Sequence, residues 1–370
     1  VQTVKSQFYH QIALAISTIG IATAAQAGAG DPANVEVYTH PQQRVEVAHG
    51  RSLNLVCMGT GPQTVLFDAG GSDWSVIWAL VQPEVARHAR ACAYDRAGLG
   101  YSDPAPGART PVAIVQDMRA LVEAARLQRP LVLVGHSLGG FNVKLYAALY
   151  PEDVAGLVLV DPSEERDWER TRSFLIRRFG RQLAARSELL DRSFLTSLLA
   201  RYEQCRAAVP LGPLDPASIA YRRCSDPVRP QLGPAIAAER LRIQVLPAYQ
   251  NAQAMEILGS IYGDPGTFPA YERLFRPGLL GSRPLIVLTH GRHDPADPLD
   301  ALGQAQLTAM HRQSAGLSRS GTQRTVEDTG HNIPVEKPGV VTSAIVEVLA
   351  RLWGSGGQKS RSRSRNRPSL

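Results

Sequence analysis

Cysteine is scarce in this chain, four in 370 residues, and no pair has C-x-x-C spacing. That spacing carries structural zinc and thioredoxin-type redox sites, so neither is supported, and no metal or cofactor is expected. Long apolar runs are also missing. The longest near the N-terminus, Ile12 to Ile21, is about half of the ~20 residues a membrane-spanning helix needs. No other segment reads as transmembrane. No internal repeat is visible, which argues against a solenoid or a propeller. The body of the chain lacks a charge surplus. The formal net charge is +7, but Lys359, Arg361, Arg363, Arg365 and Arg367 crowd into residues 354–370 with no acid among them. The remainder is near balance, so the basic pI does not signal a nucleic-acid-binding fold, and no nucleic-acid partner is expected.

What is present is an ordinary globular composition, 44% hydrophobic and 20% charged, enough for one large α/β domain with an insertion. Lys5 and His10, the apolar run after them and the ending Ala25-Gln26-Ala27 form a charged, an apolar and a cleavable region in the order of a signal peptide cut after Ala27. That reading places the protein in the periplasm or outside the cell, where disulfides persist. The simplest pairing is Cys57 with Cys92 and Cys205 with Cys224, one of three connectivities. The alternative is four small buried hydrophobes. The Ser/Arg/Gly-rich end, 354–370, has nothing to bury and is expected to be disordered.

Strand and helix signals alternate. Arg44–Ala48 and Ser52–Met58 read as a hairpin, and Thr64–Asp68 and Ala91–Tyr94 as short strands. Pro111–Arg126 has helical spacing. Leu131–Val134 and Gly156–Val160 are continuous apolar strands of the kind that parallel sheets bury on both faces. From Ser163 to Gly281 the strands stop and Arg-rich helical stretches take over, including Glu165–Arg186 and Ser193–Ala208. Strands resume at Pro284–Leu288 and Gln323–Asp328, and an amphipathic helix, Pro338–Trp353, follows. The expected organisation is a signal peptide (1–27), a first core segment (28–162), a helical insertion (163–281), a second core segment (282–353) and the basic tail (354–370).

The chemistry centres on Gly135-His136-Ser137-Leu138-Gly139, a G-x-S-x-G motif. The five residues alone are weak grounds. Their setting is stronger: an apolar strand runs into the motif and a helical stretch leaves it, the context in which a serine sits on a sharp elbow. A serine hydroxyl needs a base to take its proton. His331, in Thr329-Gly330-His331-Asn332, lies between the last strand and the last helix and is the candidate. An acid must orient that imidazole. Asp294, a few residues past the strand ending near Thr289, is the first choice. Asp161, directly after Val160, and Asp297 are the alternatives, since Asp also serves well as a turn or cap residue. An oxyanion needs two donors. The backbone N–H of Leu138 is one. Gly71, in Ala69-Gly70-Gly71-Ser72, is assigned the other, with Ser72 as its alternative. Trp74 and Phe141 flank these residues in sequence and are candidates to line a substrate pocket, although core packing is the commoner fate of such side chains.

Several segments in this order resemble the α/β-hydrolase superfamily over nearly all of Arg44 to Trp353. They are Leu66–Gly71, the turn Tyr94–Asp103, the elbow Gly135–Gly140, the strand Gly156–Pro162 and the Gly330-His331 loop. The resemblance implies an eight-stranded, mostly parallel sheet with helices on both faces and a helical cap inserted after the sixth strand. It implies a serine hydrolase acting on a small-molecule acyl substrate, an ester first, with amides and thioesters also open. Ser at 137, where dehalogenases and epoxide hydrolases carry a carboxylate, argues against those chemistries. Two departures stand out: Ala69-Gly70 replaces the usual His-Gly, and the cap resembles no particular member. The alternatives are a cofactor-free perhydrolase or haloperoxidase using the same triad, and a non-catalytic binding protein that keeps the fold.

Overall fold

The computed structural model describes residues 35–364 except 49, 166 and 265–267, with side chains as far as Trp353 other than those of 167, 211 and 268. The expected signal peptide, 1–27, lies outside the described residues.

The first strands are β1 (Gln43–Ala48), β2 (Arg51–Met58), β3 (Thr64–Asp68) and β4 (Arg90–Tyr94). Helix α1 (Pro111–Ala124) leads to β5 (Leu131–His136), α2 (Leu138–Leu149) and β6 (Val154–Val160). The insertion then contributes α3 (Asp167–Phe179), α4 (Arg181–Ala208), α5 (Ile219–Cys224), α6 (Pro234–Gln244), α7 (Pro247–Gly259) and α8 (Phe268–Leu274). The core resumes with β7 (Leu285–His290), α9 (Pro298–Ala315), β8 (Gly321–Val326) and α10 (Pro338–Ser364).

The eight strands form one sheet in the order β1-β2-β4-β3-β5-β6-β7-β8. β1, β2 and β4 pair antiparallel, and every pairing from β4 through β3 to β8 is parallel. The period-2 alternation of strand side chains decides which core each residue joins. Val65, Phe67, Val132 and Val134 point to one face, where α10 packs with Val341, Ile345 and Val348. Leu66, Leu131 and Leu133 point to the other, against Val115 and Met118 of α1 and Phe141 and Leu145 of α2. Burial on both faces is why these strands read as unbroken apolar runs.

Chain direction across the sheet reverses at β3 and β5. β4 lies on one side of β3, and β5 on the other. The loops leaving the carboxyl ends of these two strands therefore diverge and open a crevice. Into it run Ala69–Asp73 after β3 and Ser137 after β5.

The insertion differs from its sequence reading in one respect. Gly180, with φ +84°, divides the stretch expected as Glu165–Arg186, and α4 then runs unbroken from Arg181 to Ala208. A left-handed residue ends a helix cheaply only when it is glycine. At the other end, α10 continues past Trp353 to Ser364, into the stretch expected to be disordered, because adding a residue to an existing helix needs no new nucleus. Both disulfides take the simplest pairing. Cys57–Cys92 bridges β2 to β4, and Cys205–Cys224 bridges α4 to α5. Among the described residues no helix is long and apolar enough to cross a membrane.

Candidate active site

Ser137 sits between β5 and α2 with φ +52° and ψ −121°, a left-handed conformation that a side-chain-bearing residue adopts only when its surroundings enforce it. The surroundings do so sterically. A Cβ at Gly135 would lie 2.3 Å from the Gly139 carbonyl oxygen, and one at Gly139 would lie 2.3 Å from that of Ala69. The two motif glycines let the strand, the helix and the β3 loop close on one another. The elbow is also pinned from β6. Ser137 N–H donates to Val160 O at 3.1 Å, and Ser163 N–H donates to Ser137 O at 2.9 Å.

Ser137 is 8% exposed and lines a small cavity, about 70 Å³, together with Gly71, Leu138 and His331. The insertion contributes Leu198 and Tyr202 of α4 and Ile257 of α7 to its lining. Next to the serine stands a second hydroxyl, Ser163, its Oγ 3.5 Å from Ser137 Oγ and 2.6 Å from the Tyr262 hydroxyl.

The histidine loop reaches back over the sheet, and the carboxylate it meets is that of Asp161, not of Asp294. His331 Nδ1 lies 2.6 Å from Asp161 Oδ2. Asp161 leaves the end of β6 with φ +47° and is 2% exposed. Burial alone would raise its pKa. The neighbouring charge of His290 and hydrogen bonds from His290 and His331 outweigh that and hold the carboxyl well below the usual range. Asp294 is exposed, and its carboxylate accepts the backbone N–H of Ala296. Asp297 caps α9 through the N–H of Leu299. Both are turn-forming residues near a proline, where a short carboxylate satisfies local N–H groups.

The β3 loop is held from below and from the insertion. Arg96, fully buried, donates to the carbonyls of Ala69 and Gly70 at 2.7 and 2.6 Å, to Asp68, and in a two-pronged pairing to Glu256 of α7. Ser72 is fully engaged. Its N–H donates to Glu256, its carbonyl accepts from Tyr249, and its hydroxyl meets that of Tyr202. Its N–H is thus spent, whereas Gly70, Gly71 and Asp73 of this loop line the cavity together with Leu138.

Trp74 and Phe141 do not line the cavity. Trp74 is 1% exposed in the core, with Tyr249 against its edge and the Arg240 guanidinium 4.7 Å above its ring. Phe141 is fully buried on the α2 side, edge-on to Tyr271 and Phe275. Large rings near a site in sequence are buried first by the core.

Two histidines were missed as site residues. His136, the variable residue of the motif, is 3% exposed. Burial, then the adjacent His331, push its pKa down to about 3. It is therefore neutral, and its Nε2–H donates to the backbone carbonyl of His331 at 2.9 Å, fixing the histidine loop to the elbow. His290, the last residue of β7, places Nδ1 2.6 Å from the same Asp161 oxygen that His331 touches. Its position at a strand end beside the elbow was the available signal. Asp161, His290 and His331 bring three potential ligand atoms within 4.8 Å of one another. The two 2.6 Å separations are hydrogen-bond lengths, whereas ligands bound to one zinc at ~2.0–2.1 Å stand more than about 3 Å apart.

Residues 63–338 match the alpha/beta hydrolase fold family. Over 105 residues the chain is 31% identical to the uncharacterized protein YqjL of Bacillus subtilis, a match covering 28% of this chain and 42% of that one. Over 120 residues it is 31% identical to the uncharacterized protein Mb2734 of Mycobacterium bovis, covering 32% and 35%. The chain spans less than half the length of the curated relatives it matches first. Among solved structures, a thermophilic esterase from Thermogutta terrifontis superposes with a TM-score of 0.51 at 22% identity, covering 82% of this chain and 94% of that one. A meta-cleavage product hydrolase from Pseudomonas fluorescens IP01 does so with 0.51 at 16% identity, covering 84% and 98%. At such identities the likeness is one of fold. With the family matched over most of its length, and with the sheet order and elbow described above, this chain belongs to the alpha/beta hydrolase fold family.

Proposed function

We propose that the protein is a serine hydrolase of small carboxylic esters, with Ser137 as nucleophile, His331 as base and Asp161 as the acid that orients it. The observation that carries this reading is the 2.6 Å contact between His331 Nδ1 and Asp161 Oδ2, made by a residue at the end of β6 and one in the loop after β8, with Ser137 and His331 both lining the cavity.

The chemistry follows from these positions. Asp161 accepts the Nδ1 proton of His331, which fixes the tautomer so that Nε2 carries the lone pair. Nε2 takes the Ser137 proton as Oγ attacks the ester carbonyl. The negative oxygen that develops is held by the backbone N–H groups of Gly71 and Leu138. Leu138 is the first residue of α2, where N–H groups have no helical partner and the helix dipole is positive. The imidazolium returns its proton to the departing alcohol. Water then repeats the sequence on the acyl-serine and releases the acid.

The cavity volume, about 70 Å³, favours a short acyl group, well under the several hundred Å³ of a drug-sized pocket. The two disulfides support an oxidising location, in keeping with the signal-peptide reading of residues 1–27. Hydrolysis of p-nitrophenyl acetate tests the proposal. It is expected of the native protein and lost, by at least about 10³-fold, in Ser137→Ala and His331→Ala. Undiminished turnover in a folded Ser137→Ala protein would refute it.

A further inference from the structure

The least ordinary feature of the site is a carboxylate oxygen shared by two imidazoles. Asp161 Oδ2 lies 2.6 Å from Nδ1 of His331 and 2.6 Å from Nδ1 of His290. A triad of this type requires only the first contact. The second is built as carefully. His290 is 7% exposed. Its backbone N–H donates to Asp161 Oδ1 at 3.0 Å, so one residue engages both carboxylate oxygens. Its carbonyl accepts from Gln304 of α9 at 2.6 Å. Asp161 N–H in turn donates to Leu288 O at 2.7 Å. The ends of β6 and β7 are thus zipped together around the carboxylate.

We infer that His290 is a positioning residue for the Asp161–His331 pair, and that its protonation state governs how readily His331 accepts a proton during turnover. This inference rests on the reading of Ser137, His331 and Asp161 as a triad. The two rings stand edge to face, 6.4 Å between centroids. When His290 is neutral, it donates one hydrogen bond and holds Asp161 aimed at His331. When His290 is a cation, it neutralises the charge that would otherwise stabilise the His331 imidazolium, and proton transfer from Ser137 then creates a second cation on the same carboxylate. Interacting groups of this kind titrate as a unit, with steps that belong to the pair.

The surroundings keep His290 within reach of both states. Burial disfavours its charge, but Asp161 outweighs burial, and Glu336 and Asp300 add to the attraction, so its pKa is raised. The opposing neighbours are His331 across the carboxylate and His311 of α9. His311 is itself held down, first by burial, and bonded to Thr289 and to the Pro162 carbonyl. Loss of the His290 proton as pH rises is therefore expected to add a step of its own to the activity profile.

His290→Asn keeps a donor to Asp161 and removes the charge. The expected result in the pH dependence of kcat is a two-step acid limb in the native enzyme and a single step in the variant. Between the two steps, where His290 carries a proton and His331 does not, the variant keeps up to about tenfold more of its own plateau rate, as expected for removing one like charge at this distance in a partly screened site, and at lower pH the profiles converge because the same charge also keeps a proton off the resting base. A purely structural role would lower the rate equally at every pH, and plateau-normalised profiles that superimpose would overturn the inference. His290→Gln is the second variant if the first does not fold. A readout independent of turnover separates failure of this inference from failure of the triad reading. In 15N-edited spectra of the native protein, two low-field Nδ1 protons are expected, and each moves as the other ring titrates. Two rings that titrate without influencing each other would contradict the coupling, whether or not the protein cleaves esters.

Discussion

The loops that leave β6 and β7 are neighbours in the sheet, and each carries an Asp-Pro pair. Asp161-Pro162 follows β6, and Asp294-Pro295 lies just past β7. One carboxylate is buried with φ +47° and touches two imidazoles. The other is exposed and closes a turn on Ala296. Neither residue type nor local context separates them. The difference lies in distance from the strand end. Asp161 directly follows β6 and is still tied to β7 through Leu288, so its side chain stays at the sheet edge where His331 arrives. Asp294 is four residues beyond His290, far enough for the loop to have turned away. At the corresponding strand end β7 carries His290 instead, and that residue joins the acid.

The largest expected break in this comparison is between two isosteric substitutions. Asp161→Asn should lower kcat by about 10³–10⁴-fold, because an amide no longer fixes the tautomer of the base. Asp294→Asn should change it by less than about twofold. Steady-state kinetics of the two purified variants decide the matter, and the reverse ranking would move the acid to the β7 loop.

A second test compares the core with the insertion that closes it. Arg96 joins Asp68 of the core to Glu256 of α7, all three nearly inaccessible to solvent. Arg96→Met should cost about 3–5 kcal/mol, since it leaves two buried carboxylates without their cation. Urea unfolding measures this, and a loss under about 1 kcal/mol would mean the junction is not a structural clamp. Within the insertion alone, replacing Cys205 and Cys224 by serine should cost about 3 kcal/mol, seen as a lower melting temperature. A smaller effect is expected on specificity. If the cavity near Ser137 accepts only short acyl groups, kcat/KM for p-nitrophenyl esters should fall steadily from acetate to octanoate, and a rise with chain length would contradict a restriction of the acyl site by Leu198, Tyr202 and Ile257.

The smallest effect is a pH dependence of stability. The pKa of His290 is raised above its ordinary 6.5, so its pairing with Asp161 contributes fully below that pH and is lost as pH rises through the folded-state value. Asp161 is held below 3.8, so the same pairing persists down to acid conditions and fails as pH falls through that lowered value. The native protein should therefore exceed His290→Asn in stability most clearly between about pH 4 and 6.5, with the gap narrowing in alkali.

These contrasts also explain what was readable in the chain. The sheet was legible because strands buried on both faces announce themselves as apolar runs, Leu131–Val134 and Gly156–Val160 among them. The elbow and the histidine loop were legible because glycine marks sharp turns next to them. The choice of acid was not, because three aspartates follow strands, and how far past a strand a loop stays tied to the sheet edge is set by tertiary pairing such as Asp161 N–H to Leu288 O. The pocket residues were not, because Leu198, Tyr202 and Ile257 come from helices whose docking no local pattern encodes. Trp74 and Phe141 were drawn to the site by sequence proximity, and core packing claimed them instead.

The step on which the proposed chemistry turns is transfer of the acyl group to Ser137. Rapid quench of the native protein with a slowly hydrolysed p-nitrophenyl ester, followed by intact mass and peptide mapping, measures it directly. One acyl adduct is expected, on the peptide containing Ser137, accumulating during the burst and decaying with turnover. Turnover with no adduct, or an adduct on another residue, would contradict it.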